Sequence, residues 1–248
     1  MRSLKNSKPV YITLALLLSI PLMAGESARK IMEKNDALPE AKTQKSHSIM
    51  AIFKGKKPEI KEFKMYSKKY GKKLRSRSRF IKPSRIEFLS WSKPGEDSLQ
   101  WIKLSGGTVR KIAASNKSGS FVGSHFYYED LTDRDIDDYD YKLLGETTEA
   151  GADCYKIESV KTVGTKVYEK GIMYVRKSDY FIIRVDLYEK KGHTKTMYAQ
   201  KIEKINGILT PRKVIMKRTD GNGKTIIYLK KVEINKKVSD SLLKKDSL

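Results

Sequence analysis

From residue 180 onward the chain reverses direction at short intervals, and this rhythm leaves little choice of fold. Tyr180–Lys190 alternates apolar and polar residues, which assigns Phe181, Ile183, Val185 and Leu187 to one face. Ile182, Arg184, Asp186 and Tyr188 fall on the other. Lys190-Lys191-Gly192-His193 then turns the chain. Thr194–Ile205 and Ile208–Arg218 flank Asn206-Gly207, whose residue types suit the positive φ angles of a tight hairpin. Asp220-Gly221-Asn222-Gly223 leads into a last strand, Thr225–Asn235. Connections this short make a meander of neighbouring antiparallel strands.

The preceding residues read the same way. Strands are expected at Ser46–Phe53, Ile60–Lys68, Arg85–Trp91, Ser98–Leu104, Val109–Ala113, Cys154–Val160 and Thr165–Lys177. Glu26–Asn35 is helical by spacing, with Ala28, Ile31, Met32 and Asn35 on one face, and Leu38-Pro39 ends it. Gly119–Tyr139 has no strand period and reads as a long connection with a short helix near Tyr127–Asp133. The fold class that follows is mainly β: one large antiparallel curved sheet of roughly ten strands, near the limit for an open sheet. Such a sheet curls into an incomplete barrel, and side chains, a helix or a ligand must occupy its inside.

Residues 1–24 read as an exported leader: Arg2, Lys5 and Lys8, then an apolar run over Val10–Met23, then Ala24 at a cleavage position. The run falls short of the ~20 apolar residues that span a bilayer, and Pro21 interrupts it. Residues 25–248 are expected as a single domain in the periplasm. Cys154 is the only cysteine, so no internal disulfide staples this domain. Lys and Arg number 52 against 29 Asp and Glu; without Arg2, Lys5 and Lys8 the balance is 49 against 29, or +20. The charge is scattered, with its densest cluster at Lys68–Lys82, and an exported chain points to an anionic membrane surface rather than nucleic acid.

Catalytic patterns fail one by one. His47, His125 and His193 stand at no metal-ligand spacing with another His or Cys. Asp133, Asp135 and Asp137 begin a calcium-loop pattern, but Asp138 and Leu144 stand where Gly and Glu are required. Ser120 lacks the G-x-S-x-G setting of a hydrolase nucleophile. No enzyme, metal or cofactor is expected. The middle of the chain instead gathers Phe88, Trp91, Trp101, Phe121, Phe126, Tyr127 and Tyr128, a set suited to a core or to an apolar ligand.

The ordered motifs RIEFLSW, VRKI, SGSFVGSHFYYEDL, DYDYKLLGE and DCYKIES resemble the outer-membrane lipoprotein-sorting (LolA-like) family. YVRKSDYFIIRVDLYEKKG and KINGILTPRKVIMK continue the likeness, which spans about Ala28 to Asn235. The resemblance implies a half β-barrel with a helical lid over an apolar cavity, and no enzymatic activity. It implies a periplasmic carrier of lipoproteins or lipids, served by an inner-membrane transporter of the resistance-nodulation-division or ABC type, acting as a monomer. The alternative is a non-carrying accessory or sensor of an envelope lipid transporter. On this basis Phe88, Trp91, Trp101, Phe121, Phe126 and Tyr128 are expected to line the cavity or brace its lid. Gly123, Ser124, Glu129 and Asp130 are expected to fix the loop. His125 stands where the family carries an acidic residue.

Overall fold

The computed structural model describes residues 26–248, so the expected leader at residues 1–24 lies outside them. Helix α1 (Ala28–Asp36) starts where the Ser27 hydroxyl accepts the Lys30 N–H at 3.3 Å. It buries Ala28, Ile31 and Met32, the face its spacing assigns.

Everything else regular is strand. The first six are β1 (Thr43–Phe53), β2 (Glu59–Tyr70), β3 (Lys73–Lys82), β4 (Glu87–Ser92), β5 (Leu99–Lys103) and β6 (Val109–Lys111). The rest are β7 (Tyr139–Glu149), β8 (Ala152–Lys161), β9 (Lys170–Arg176), β10 (Ile182–Glu189), β11 (Gly192–Ile205), β12 (Ile208–Arg218) and β13 (Lys224–Ile234). All join one antiparallel sheet in the order β6-β5-β4-β3-β2-β1-β13-β12-β11-β10-β9-β8-β7. The sheet is curved and does not close, because β6 and β7 remain at opposite edges. Asn206 (φ 49°) and Gly207 (φ 83°) make the hairpin between β11 and β12, where Ile205 pairs with Ile208.

Several expectations need correction. The basic run at Lys73–Lys82 is a full strand, because Arg75, Arg77 and Arg79 occupy one face while Ser76, Ser78 and Phe80 occupy the other. Tyr139–Glu149, where no strand is expected, is the edge strand β7, so the long connection stops just before Tyr139. Residues 165–169 precede β9 instead of starting it, since the Thr165 N–H and hydroxyl both bond to Asp97. In β10 a bulge makes Ile182 pair with Val175 and Arg184 with Tyr174. Ile183 is the extra residue, so Phe181 and Ile183 sit on the opposite face from Val185 and Leu187. The helices of the expected lid reduce to α1 and short 3-10 turns, one of them at Glu129–Leu131.

The inner face carries two apolar clusters. Met50, Ile52, Phe63, Phe80, Phe88, Ile102, Phe121, Phe126 and Met216 form the first. Ala28, Ile31 and Met32 of α1 pack with Ile157, Met173, Val175 and Val185 in the second. Leu187 and Met197 border both, so the clusters are continuous. The outer face is covered in part by the segment after β13. There Leu243 is buried, and the fully buried Arg77 donates to the Leu242 carbonyl at 3.0 Å, the Ser247 carbonyl at 2.6 Å and Glu87 at 2.6 Å.

Candidate binding site

The connection from β6 to β7, residues 112–138, runs across the inner face. Its ring of Phe121 packs 5.0 Å from Phe88 and 5.7 Å from Phe80, centroid to centroid. Phe126 is buried in the same cluster, and Tyr128 lies 5.7 Å from Phe88. These rings fill the concavity over β1–β5.

Small residues let the connection lie this close. A Cβ on Gly119 would stand 2.9 Å from the Asn116 carbonyl oxygen and 3.4 Å from the Tyr128 ring. Val122 (φ 46°) and Gly123 (φ 79°) both turn through the left-handed region. The Ser124 hydroxyl accepts the buried Phe126 N–H at 3.1 Å, and its carbonyl accepts the Ser120 hydroxyl at 2.5 Å. His125 docks the loop on the β12–β13 turn. Its Nε2 donates to the Asn222 carbonyl at 3.2 Å, and Nδ1 meets the Thr225 hydroxyl at 2.8 Å. Burial pushes its pKa down, which suits a neutral structural imidazole.

Charged side chains pin the far end of the connection. Asp130 accepts the Tyr127 N–H at 2.7 Å and the Tyr168 hydroxyl at 2.7 Å, and it meets Lys195 Nζ at 3.2 Å. Lys195 is fully buried, and its ammonium lies 3.2 Å from the Tyr127 ring centroid. Burial lowers the Lys195 pKa against the pull of Asp130, whereas burial and the Asp130 charge push the Tyr168 phenol up. Glu129 accepts from Lys161 at 2.7 Å and stands 3.9 Å from the buried Lys117. Burial works against the Lys161 charge, but the Glu129 hydrogen bond and the surrounding negative charge together outweigh it and raise the pKa. Lys117 also donates to Asp97 at 3.0 Å. Burial opposes the Asp97 charge too, but the Thr165 hydroxyl, the Thr165 N–H and Lys117 together hold its carboxyl at about 2.

Where the aromatic filling stops, a hollow of about 270 Å³ opens. Its floor is apolar: Met173, Ile182, Val185, Leu187 and Met197, with Val167 and Tyr168 at the side. Its rim is Glu129, Asp130, Thr132, Arg134, Tyr139, Lys161 and Lys170. A second hollow, about 390 Å³ and lined mostly by charged residues, adjoins it. Glu129, Thr132, Arg134, Tyr139 and Lys161 border both, so a polar mouth leads to an apolar end.

None of the six aromatics expected to line the cavity or brace its lid borders this hollow. Phe88, Phe121 and Phe126 fill the neighbouring cluster, and Tyr128 borders a shallow groove beside β5 and β6. Trp91 and Trp101 lie on the outer face: Phe88 pairs with Ile102 and Leu89 with Trp101, and strand alternation separates those pairs. There the two indoles pack 5.0 Å apart, and Trp91 Nε1 donates to the Leu243 carbonyl at 2.9 Å. The floor residues were visible only as apolar positions in β9, β10 and β11, and Arg134 was hidden inside an acidic run. Among the described residues no cluster of His, Cys, Asp and Glu could hold a metal ion. No helix among them is long and apolar enough to cross a membrane.

Residues 73–248 match a family model described as "Uncharacterized protein". Among curated proteins none matches the sequence. Solved structures do. A DUF1329 family protein from Desulfovibrio piger is 29% identical with a TM-score of 0.85, over 89% of this chain and 97% of its own. A Vibrio parahaemolyticus domain described as a candidate outer membrane lipoprotein-sorting protein gives 21% identity and a TM-score of 0.84, over 88% and 97%. A LolA superfamily protein from Nitrosomonas europaea gives 16% and 0.71, over 90% and 100%. The last two matches are likenesses of fold.

Proposed function

The chain belongs to the family matched over residues 73–248, and it has the LolA-superfamily fold; on that premise we propose that it is a periplasmic carrier of lipid or lipoprotein acyl chains. The reading casts the protein as a binder rather than a catalyst. One observation carries it: the apolar floor of Met173, Ile182, Val185, Leu187 and Met197 at the end of a charged mouth. Each methylene moved from water onto that floor contributes about 0.8 kcal/mol, enough to hold a tail reversibly.

The hollow of about 270 Å³ is small for an acyl chain. Pockets for drug-sized ligands run to roughly 300–1,000 Å³. Loading therefore involves displacement of residues 112–138, which the Glu129–Lys161 and Asp130–Lys195 ion pairs pin at the rim. The basic start and apolar run of the cleavable-leader pattern at residues 1–24 support export, and the excess of Lys and Arg supports approach to an anionic membrane. An inner-membrane transporter of the resistance-nodulation-division or ABC type would supply the cargo.

A second reading, an accessory protein that carries nothing, draws support from the rings of Phe88, Phe121 and Phe126, which occupy the other half of the interior. Delipidated protein titrated with a fluorescent fatty-acyl probe separates the two. A carrier takes up the probe at one site, and Leu187→Trp, which fills the floor, abolishes uptake while the fold persists by circular dichroism. Protein that stays empty at saturating probe, and yields no lipid on extraction from its host, sinks the carrier reading.

A further inference from the structure

We propose that Arg134 is an anion-recognition residue, and that the ligand of the hollow is an amphiphile whose head carries a carboxylate or phosphate. The inference rests on the acyl-binding reading and adds the chemistry of the head.

The guanidinium of Arg134 lies flat against Tyr139, its central carbon 3.6 Å from the ring centroid. Its Nε and Nη2 are both buried and have no hydrogen-bond partner among the described residues. These two donors are the adjacent pair on one edge of the guanidinium fork, the edge that meets two oxygens of a carboxylate or phosphate in parallel. Leaving two buried donors of a permanent cation unmade is costly, and buried polar groups are otherwise paired. Tyr139 holds the fork in one orientation, so the edge is set before any ligand arrives.

The position is as telling as the vacancy of partners. Arg134 borders both the charged mouth and the apolar hollow. A head on its fork leaves the tail pointing over Met173, Leu187 and Met197. Of the nearby carboxylates, Glu129 is matched by Lys161 at 2.7 Å and Lys117 at 3.9 Å, Asp133 by Lys69 at 3.9 Å and Asp135 by Lys72 at 3.7 Å, while Asp138 accepts the Gly95 N–H at 2.9 Å. Of the charged side chains that border both hollows, Arg134 and Lys161 are cationic and Glu129 alone is anionic, so positive charge is in excess at the junction. An anion restores the balance there; a neutral or cationic head does not.

The test is calorimetric titration of the delipidated full-length mature protein with dodecanoate, with 1-dodecanol of the same chain length, and with inorganic phosphate alone. Dodecanoate is expected to bind the native protein at least about tenfold more tightly than dodecanol, the scale of one charge-assisted fork. In Arg134→Gln the preference should fall to within about twofold, with dodecanol affinity unchanged; Arg134→Lys, which keeps the charge without the fork, should fall between. Melting curves confirm that each variant folds, and the native preference alone tests the proposal if Arg134→Gln does not. Equal affinity for the two amphiphiles in the native protein, or a preference that survives in Arg134→Gln, overturns the inference and leaves acyl binding standing. Inorganic phosphate binding as tightly as dodecanoate overturns it as well, since the site would then read an anion without a tail. If neither amphiphile binds, the carrier reading falls and the inference falls with it.

Discussion

The two halves of the inner face share one sheet and one curvature, yet they are finished in opposite ways. Over β1–β5 the concavity is packed with rings, Phe63 against Phe80 at 5.0 Å and Phe88 against Phe121 at 5.0 Å. Over β9–β11 the floor is Met173, Val185, Leu187 and Met197, and space is left above it. The same connecting segment makes both. Its first half inserts Phe121 and Phe126; its second half contributes Glu129, Asp130 and Arg134 at a rim. A curled sheet must enclose something, and here one chain segment divides that interior into a filled part and an open part.

The contrast can be broken most severely in the filled half. Phe121→Ala should cost about 3–5 kcal/mol of unfolding free energy, the usual price of deleting a buried ring, and denaturant titration measures it. Leu187→Phe adds bulk above the open floor and should change stability by less than about 1 kcal/mol; an equal loss in both would mean that the halves are packed alike.

The next effect is at the seam between them. Lys195 and Asp130 are both buried, but their partners differ. Asp130→Ala strands a buried ammonium and should cost about 3 kcal/mol. Lys195→Met leaves Asp130 with its Tyr168 and Tyr127 donors and should cost about 1 kcal/mol or less, by the rule that a removed charge matters most when its partner is left unpaired. The order of the two melting temperatures decides the point.

The smallest effect concerns pH. The Asp97 carboxyl is held at about 2 against an ordinary value of 3.8. Its folded pKa is depressed, so its contribution is full above 3.8 and is lost as pH falls through 2. Amide exchange at residues 117–129 should therefore quicken between those values, and Asp97→Asn should show no such pH step.

Much of the fold was legible because it is written locally. The face of α1 follows its spacing, and the β11–β12 hairpin follows from Asn206-Gly207. What escaped reading depends on distant partners. Arg77 looks like surface charge in KKYGKKLRSRSRFIK, yet residues 242–247 bury it. Nothing local marks Lys117 and Lys195 as buried; Asp97 and Asp130 close on them from elsewhere in the chain. The bulge at Ile183 shifts the phase of a clean alternation, which no pattern within β10 announces. The six aromatics lie away from the hollow for a related reason. Aromatic residues mark burial, but neither which face of a strand they take nor whether they fill a space or border one. The open floor was instead Met, Val and Leu at ordinary alternating positions.

The order of the strands has a consequence for how the chain finds its structure. Every neighbour in the sheet is also a neighbour in sequence except β1 and β13. Each run, β1 to β6 and β7 to β13, can zip up hairpin by hairpin with only short loops to close. A single long-range seam, such as Gln44 opposite Ile234 and Met50 opposite Ile227, then welds two locally assembled ribbons into one wall. A sheet of this breadth thus asks the unfolded chain for one distant encounter, and the kinetic barrier should concentrate at that seam.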